Sequence, residues 1–214
     1  VVAPAQIITL VTGLPRSGTS LLMQMLAAAG VPPYSDGERA ADASNPRGYF
    51  EHARVAGLAR ETDFSWLLQA RGRALKVVAP LLAFLPREVE GEPLYYRVVF
   101  MERPMPEVIA SQAAMLQRLG RAGAVADVAR AYRQQVLSAH GWMRGLGAAG
   151  QLAATALSYP DLVAAPGAHC ARAAGFIGRP QAAAAMAQAV DGSLYRTRKD
   201  APPTAAEDLA PRGA

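Results

Sequence analysis

Gly13-Leu14-Pro15-Arg16-Ser17-Gly18-Thr19-Ser20 is the stretch on which the reading of this chain turns. It lies between two contrasting segments. Residues 7–12 form a short apolar run rich in β-branched side chains, the pattern of a strand buried on both faces. Residues 17–29 repeat apolar positions at helical spacing, with Leu21, Leu22, Met25 and Leu26 on one face and Gly30 as the stop. Strand, glycine-rich loop, helix is the setting in which a nucleotide-type phosphate loop has meaning, and the stretch nearly spells G-x-x-x-x-G-K-[ST]. Glycines let the backbone fold around an anion, and the amides of the first helical turn point at it. Thr19, however, stands where a nucleotide-hydrolysing loop needs its lysine, and the cation has moved into the loop as Arg16. The plain alternative is an ordinary strand-to-helix turn capped by Ser17.

Outward from this loop, strands and helices alternate. Residues 31–50 are rich in Pro, Gly, Asp and Asn, an irregular segment of the kind that carries function. A helix is expected over 55–68, and a second buried strand over 74–79, stopped by Pro80. Residues 95–101 (YYRVVFM) read as a third strand. A helix follows Pro104 and Pro106, with Val108, Ile109, Ala113 and Leu116 inward, and a long helix covers 125–146. Residues 151–157 form a fourth strand, and Pro160 opens a further helix. The alternation predicts an α/β three-layer sandwich with a mostly parallel central sheet. Neither repeats nor a domain-sized linker interrupt it, so a single domain is expected over 1–200, followed by a flexible Pro-rich tail over 201–214.

Composition narrows the function classes. The chain has 214 residues, of which 51% are hydrophobic and 18% charged, so it can bury a substantial core. Its formal net charge of +5 favours an anionic partner. The arginines are scattered singly and aromatic residues are few, which argues against nucleic acid and for a small polyanion. No apolar run has the length of a membrane span, and no signal-peptide pattern is expected in residues 1–6, which carry no basic side chain. The one cysteine, Cys170, excludes an internal disulfide and a multi-cysteine metal site, and reads as packing in an Ala-rich helix. These features together place the protein in the cytoplasm, with no metal.

The stretch V-T-G-L-P-R-S-G-T-S-L-L resembles the 5′-phosphosulfate loop of the sulfotransferases that use 3′-phosphoadenosine 5′-phosphosulfate (PAPS), written P-K/R-S-G-T-[ST]. The resemblance implies a P-loop NTPase-like sulfotransferase fold. It also implies that Pro15, Arg16, Ser17, Gly18, Thr19 and Ser20 hold the 5′-phosphosulfate, with Arg16 at the bridging oxygen. Val98-Val99-Phe100-Met101-Glu102-Arg103-Pro104, running into a helix that contains Ser111, is similar to the family's 3′-phosphate element. An arginine offers a planar fork to phosphate oxygens, and a serine adds a neutral donor. The bland reading of Arg103 is a salt bridge with Glu102 or Glu107. Leu157-Ser158-Tyr159-Pro160-Asp161-Leu162 resembles a softer element that sets a tyrosine, here Tyr159, near the adenosine.

The resemblance covers residues 7–165 and is greatest to the small bacterial members. Leu75-Lys76-Val77-Val78-Ala79-Pro80 is similar to a stretch that in the animal cytosolic enzymes carries a histidine base. Val78 holds that position here, so that base is absent; the resemblance extends to family members that use a glutamate after the first helix instead. Glu51, in Asn45-Pro46-Arg47-Gly48-Tyr49-Phe50-Glu51-His52, is the first candidate, with Asp36, Glu38 and His52 as rivals. Lys76 is expected to reach the transferring group. Arg196 and Arg198, in S-L-Y-R-T-R, are expected to close over the cofactor, although the family's R-K-G form is missing.

The implied reaction moves a sulfuryl group from PAPS to a hydroxyl or amine of a small acceptor and releases PAP (3′-phosphoadenosine 5′-phosphate). The alternatives are an ATP-dependent small-molecule kinase and a PAP- or nucleotide-binding module without catalysis. Tyr49, Phe50, Phe64, Trp66 and Leu67 are candidates to line an apolar acceptor site, or to be core. The sequence leaves acceptor and oligomeric state open.

Overall fold

A computed structural model describes residues 2–42, 45–118, 120 and 125–195, with the side chains of 125–127 excluded. Its centre is a four-stranded, wholly parallel sheet in the order β2-β1-β5-β6. The strands are β1 (Ile7–Gly13), β2 (Ala74–Lys76), β5 (Tyr95–Glu102) and β6 (Leu152–Ser158). β3 (Glu88–Val89) and β4 (Glu92–Pro93) form a small antiparallel hairpin apart from it. β1 and β5 pair along their whole shared length, from Ile7 opposite Tyr95 to Gly13 opposite Met101.

Alternate residues of the two central strands build two cores, which is why both strands read as unbroken apolar runs. On one face Ile8, Leu10, Tyr96, Val98 and Phe100 meet Ala139 and Leu146 of α4 (Val125–Ala148), together with Trp66, Leu67 and Leu82. On the other face Val11, Val99, Met101 and Leu157 meet Leu22, Met25 and Leu26 of α1 (Thr19–Ala28). That second core is completed by α5 (Tyr159–Ala164), α6 (Pro166–Phe176) and α7 (Ala183–Gln188), through Leu162, Cys170, Ala173 and Met186. Cys170 is fully buried there, as packing. Helical layers on both faces of a parallel sheet make the three-layer α/β architecture.

Two elements differ from expectation. The helix expected over 55–68 is broken into α2 (Ala53–Ala56) and two 3₁₀ segments, Leu58–Arg60 and Ser65–Ala70. Gly57 caps α2, and between the segments side chains take over the backbone donors. Glu61 accepts from the amides of Thr62 and Asp63, and Asp63 accepts from that of Ser65. The second strand is shorter than 74–79, because after Lys76 the chain enters a 3₁₀ segment, Ala79–Phe84, with Pro80 in its first turn. The long α4 and α3 (Met105–Arg118) lie where the periodicity placed them, but of the four α3 residues expected inward only Val108 is buried and Ala113 is exposed, the buried face running instead through Glu107, Val108 and Ser111.

Candidate active site

The carboxyl ends of all four parallel strands open into one cleft of about 510 Å³, and each delivers a residue to it. The loop after β1 brings Arg16, the last residue of β2 is Lys76, Arg103 follows β5, and Tyr159 follows β6. Pro15, Gly18, Thr19, Ser20, Glu51 and Ser111 also line it.

The loop's shape is set by backbone that few residues adopt. Gly13 (φ +150°) sits so close to β5 that an added Cβ would lie 2.5 Å from the Met101 carbonyl oxygen. The Ser17 amide donates to Leu14 O at 3.1 Å, and Arg16 takes φ +71°, a left-handed conformation costly for a residue with a side chain. Gly18 (φ +105°) caps α1, and a Cβ there would fall 2.3 Å from the Tyr159 ring. Ser17 is therefore not the cap. Its hydroxyl is buried and has no hydrogen-bond partner among the described residues. With no side chain capping α1, its first-turn amides have no intrahelical acceptor. Loop amides and the helix start make a cradle suited to an anion, whereas the Ser17 hydroxyl, expected at this site, lies against Gly13 and does not line the cleft.

A second wall comes from β5 and α3. Arg16 Nε donates to Ser111 Oγ at 3.1 Å, joining the two phosphate-type motifs across the cleft. Arg103 Nη1 donates to the Arg16 carbonyl at 3.1 Å, and its Nε to Glu107 Oε2 at 3.0 Å. The Arg103–Glu107 salt bridge read as the bland alternative is thus present, within a larger cluster. The guanidinium lies over the rings of Tyr159 (4.8 Å) and Tyr195 (4.9 Å). Burial lowers the Arg16 pKa from its ordinary value, with Arg118 and Arg103 adding repulsion and Tyr49 and Asp42 opposing it.

The third group is ionic. Lys76 is buried, and its Nζ donates to Tyr49 O (2.7 Å), Glu51 Oε1 (3.1 Å) and Ser20 Oγ (3.2 Å). Burial lowers the lysine's pKa, against the pull of Glu51. Burial acts to raise the pKa of Glu51, but hydrogen bonds from Arg39 (2.9 Å) and Lys76 overcome it, and the carboxyl ends below its ordinary value. Arg39 also lies flat on the Tyr49 ring at 3.4 Å, while the Tyr49 hydroxyl donates to Asp42 at 2.8 Å. Asn45 Nδ2 donates to Ser20 Oγ at 2.8 Å, tying this segment to the phosphate loop.

Nearly all the expected residues therefore converge. The rivals to Glu51 do not line the cleft. His52 stacks on Tyr34 and Trp66 in a three-ring cluster and accepts from the Arg54 amide, while Asp36 caps the amides of Glu38 and Ala53. Glu38 is exposed on the same turn. Arg196 and Arg198 lie outside the described residues. Of the apolar candidates only Tyr49 faces the cleft, and Trp66 and Leu67 are core.

The structure adds Arg39, Asn45, Gln112, Met115 and Arg118 to the lining. Ser111, Met115 and Arg118 recur at helical spacing, a signal the sequence carried. Arg39 and Asn45 had none beyond their place in an irregular segment. Among the described residues, five lining cations (Arg16, Arg39, Lys76, Arg103, Arg118) face two lining carboxylates (Glu51, Asp191), a balance suited to a polyanion. Among the described residues no cluster of His, Cys, Asp and Glu could hold a metal, and no helix is long and apolar enough to cross a membrane.

Neither a family model nor a curated protein sequence matches this chain. In structure it resembles the sulfotransferase domain of the Synechococcus PCC 7002 olefin synthase, at 18% identity and a TM-score of 0.51, covering 93% of this chain and 90% of that one. A sulfotransferase domain from the curacin biosynthetic pathway aligns over 92% of this chain and 93% of its own at 15% identity, with a TM-score of 0.45. The first likeness establishes the fold: a sulfotransferase-type α/β sandwich.

Proposed function

We propose that this chain is a sulfotransferase that uses PAPS as donor and a small hydroxyl- or amine-bearing acceptor, and releases PAP. The observation that carries this reading is the meeting of two sequence-distant phosphate motifs. Arg16 of the lysine-free loop bonds Ser111, and Arg103 bonds the Arg16 carbonyl, in one cationic cleft. A donor phosphorylated at both the 5′ and 3′ positions needs two anion subsites at fixed separation, whereas an ATP-dependent kinase needs the lysine absent at position 19. The donor supplies an activated sulfuryl group. In this reading Gly18, Thr19 and Ser20 hold its 5′-phosphosulfate, Arg103 with Ser111 holds its 3′-phosphate, and Tyr159 packs beside the adenosine; all six line the cleft.

Arg16 and Lys76 stabilise charge that develops on oxygen during transfer, the main catalytic contribution for chemistry of this type. Glu51 is the proton acceptor in this proposal, since it lines the cleft beside Lys76 Nζ, the cation assigned to the transferring group, at 3.1 Å. Two cations hold Glu51 ionised at neutral pH, which keeps it in the accepting form while making it a weak base.

Calorimetric titration with PAP, ADP and ATP on wild type and Arg103→Ala tests the reading. PAP should bind at least about tenfold tighter than ADP, a difference of ~1.4 kcal/mol, and Arg103→Ala should remove that preference. Equal or tighter binding of ATP, indifferent to Arg103, would move the assignment to a kinase.

A further inference from the structure

Buried Glu107 and half-buried Tyr195 have no part in the function proposed above, yet they meet Arg103, one of the cleft's enclosed cations. Glu107 lies on the first turn of α3, is 6% exposed, and accepts from Arg103 Nε at 3.0 Å. The Tyr195 hydroxyl lies 2.8 and 2.7 Å from the two carboxylate oxygens of Glu107 and donates to that group. Its ring covers one side of the Arg103 guanidinium and meets the Tyr159 ring edge-on at 5.0 Å. Burial and the Glu107 carboxylate push the Tyr195 pKa up to about 12, so the hydroxyl keeps its proton for donation throughout the neutral range. A buried carboxylate against a guanidinium is costly unless its remaining oxygen sites are satisfied, and Tyr195 does that.

We infer that Glu107 and Tyr195 are positioning residues that fix the Arg103 guanidinium for recognition of the ligand's 3′-phosphate. The inference rests on the sulfotransferase reading. Arginine recognises phosphate through a planar fork, so the plane's orientation matters as much as the charge. Tyr159 and Tyr195, set nearly perpendicular to each other, both pack against that guanidinium, Glu107 holds its Nε edge, and the Arg16 carbonyl holds Nη1. Tyr195 comes from the segment after α7, and Asp191 of that segment is bound by Arg47 of the 34–52 loop. Recognition of the 3′-phosphate therefore depends on a part of the chain far from both phosphate motifs in sequence.

Titration of PAP and ADP into wild type, Glu107→Gln, Glu107→Asp and Tyr195→Phe, each checked by thermal unfolding, decides the matter. The readout is the ratio of PAP to ADP affinity, which a loss of general stability does not move. Glu107→Gln should lower the ratio about tenfold and Tyr195→Phe about threefold, with Glu107→Asp recovering part of the loss. Tyr195→Phe keeps its ring over Arg103, so it provides a test even if the Glu107 variants fail to fold. An unchanged ratio in folded Glu107→Gln or Tyr195→Phe overturns the inference alone. So does tighter PAP binding by Glu107→Gln, which would make Glu107 a competitor of the phosphate. A wild-type protein with no preference for PAP overturns both the inference and the reading beneath it.

Discussion

The phosphate loop and the 34–52 segment line the same cleft but are held there by different forces. The loop is built from backbone. Gly13 is paired in the sheet with Met101, Leu14 and Ser17 close a turn, and Gly18 lies under the Tyr159 ring. Among its described residues the 34–52 segment contains no helix or strand, and besides a few backbone hydrogen bonds it is held by side chains. Arg39 meets Glu51, Tyr49 meets Asp42, Arg47 meets Asp191, and Asn45 reaches Ser20. Backbone packing is insensitive to salt and pH, whereas half-exposed ion pairs respond to both. On the proposed function, the part assigned to the donor is therefore stiff, and the part assigned to the acceptor is adjustable by solvent conditions.

The most damaging way to break this contrast is to place a side chain in the stiff region. Gly18→Ala combines a left-handed φ with a Cβ driven into the Tyr159 ring. It should cost roughly 2–4 kcal/mol of stability and abolish PAP binding, as followed by urea unfolding and calorimetry. A well-folded variant that still binds PAP would show that the loop is not rigid.

A charge change on the adjustable side should act more on rate than on folding. Glu51→Gln should lower kcat about 100-fold. The accompanying loss of stability should be only about 1 kcal/mol, since the carboxylate is partly exposed. A fall in kcat below tenfold would leave Glu51 as a partner of Lys76 and remove it as the base.

Acid probes the same segment without mutation. Glu51, Asp36 and Asp191 all have carboxyl pKa values below their ordinary ones in the folded protein. Burial opposes the shift at Glu51, where Arg39 and Lys76 prevail, and hydrogen bonds from the Ala53 amide and from Ser193 lead at Asp36 and Asp191. Groups depressed in this way stabilise the fold fully above their unfolded values, near pH 4, and lose that contribution as pH falls through the folded values. Hydrogen exchange should therefore show the amides of Glu38 and Ala53 losing protection on acidification before those of β1 and β5. Simultaneous loss in both regions would erase the distinction.

The smallest effect is expected from Arg47→Ala. The Arg47–Asp191 pair is partly exposed, and its removal should cost about 0.2–1 kcal/mol, diminishing with added salt.

Much of this molecule could be read before folding was considered. The strand–loop–helix around Gly13–Ser20 emerged from local pattern, and the Arg103–Ser111 element and Tyr159 from a family resemblance, because each rests on residues close together in the chain. The fragmented helix near residue 60 was not legible. Its periodicity was apolar enough, but Glu61 and Asp63 compete for the backbone amides, and Gly57 ends the turn. His52 looked like a base from its position beside Glu51 and is instead buttressed by Tyr34 and Trp66.

By itself, then, the sequence determined the parallel α/β sandwich and the anion-binding character of the loop, since apolar periodicity and glycine placement act over a few residues. Only the tertiary structure decided which charges meet. Lys76 and Glu51, Arg16 and Ser111, and Glu107 and Tyr195 are 25, 95 and 88 residues apart, respectively. A pattern read along the chain carries no information about such meetings. They follow from sheet order and strand register, which bring the carboxyl ends of all four strands to one cleft.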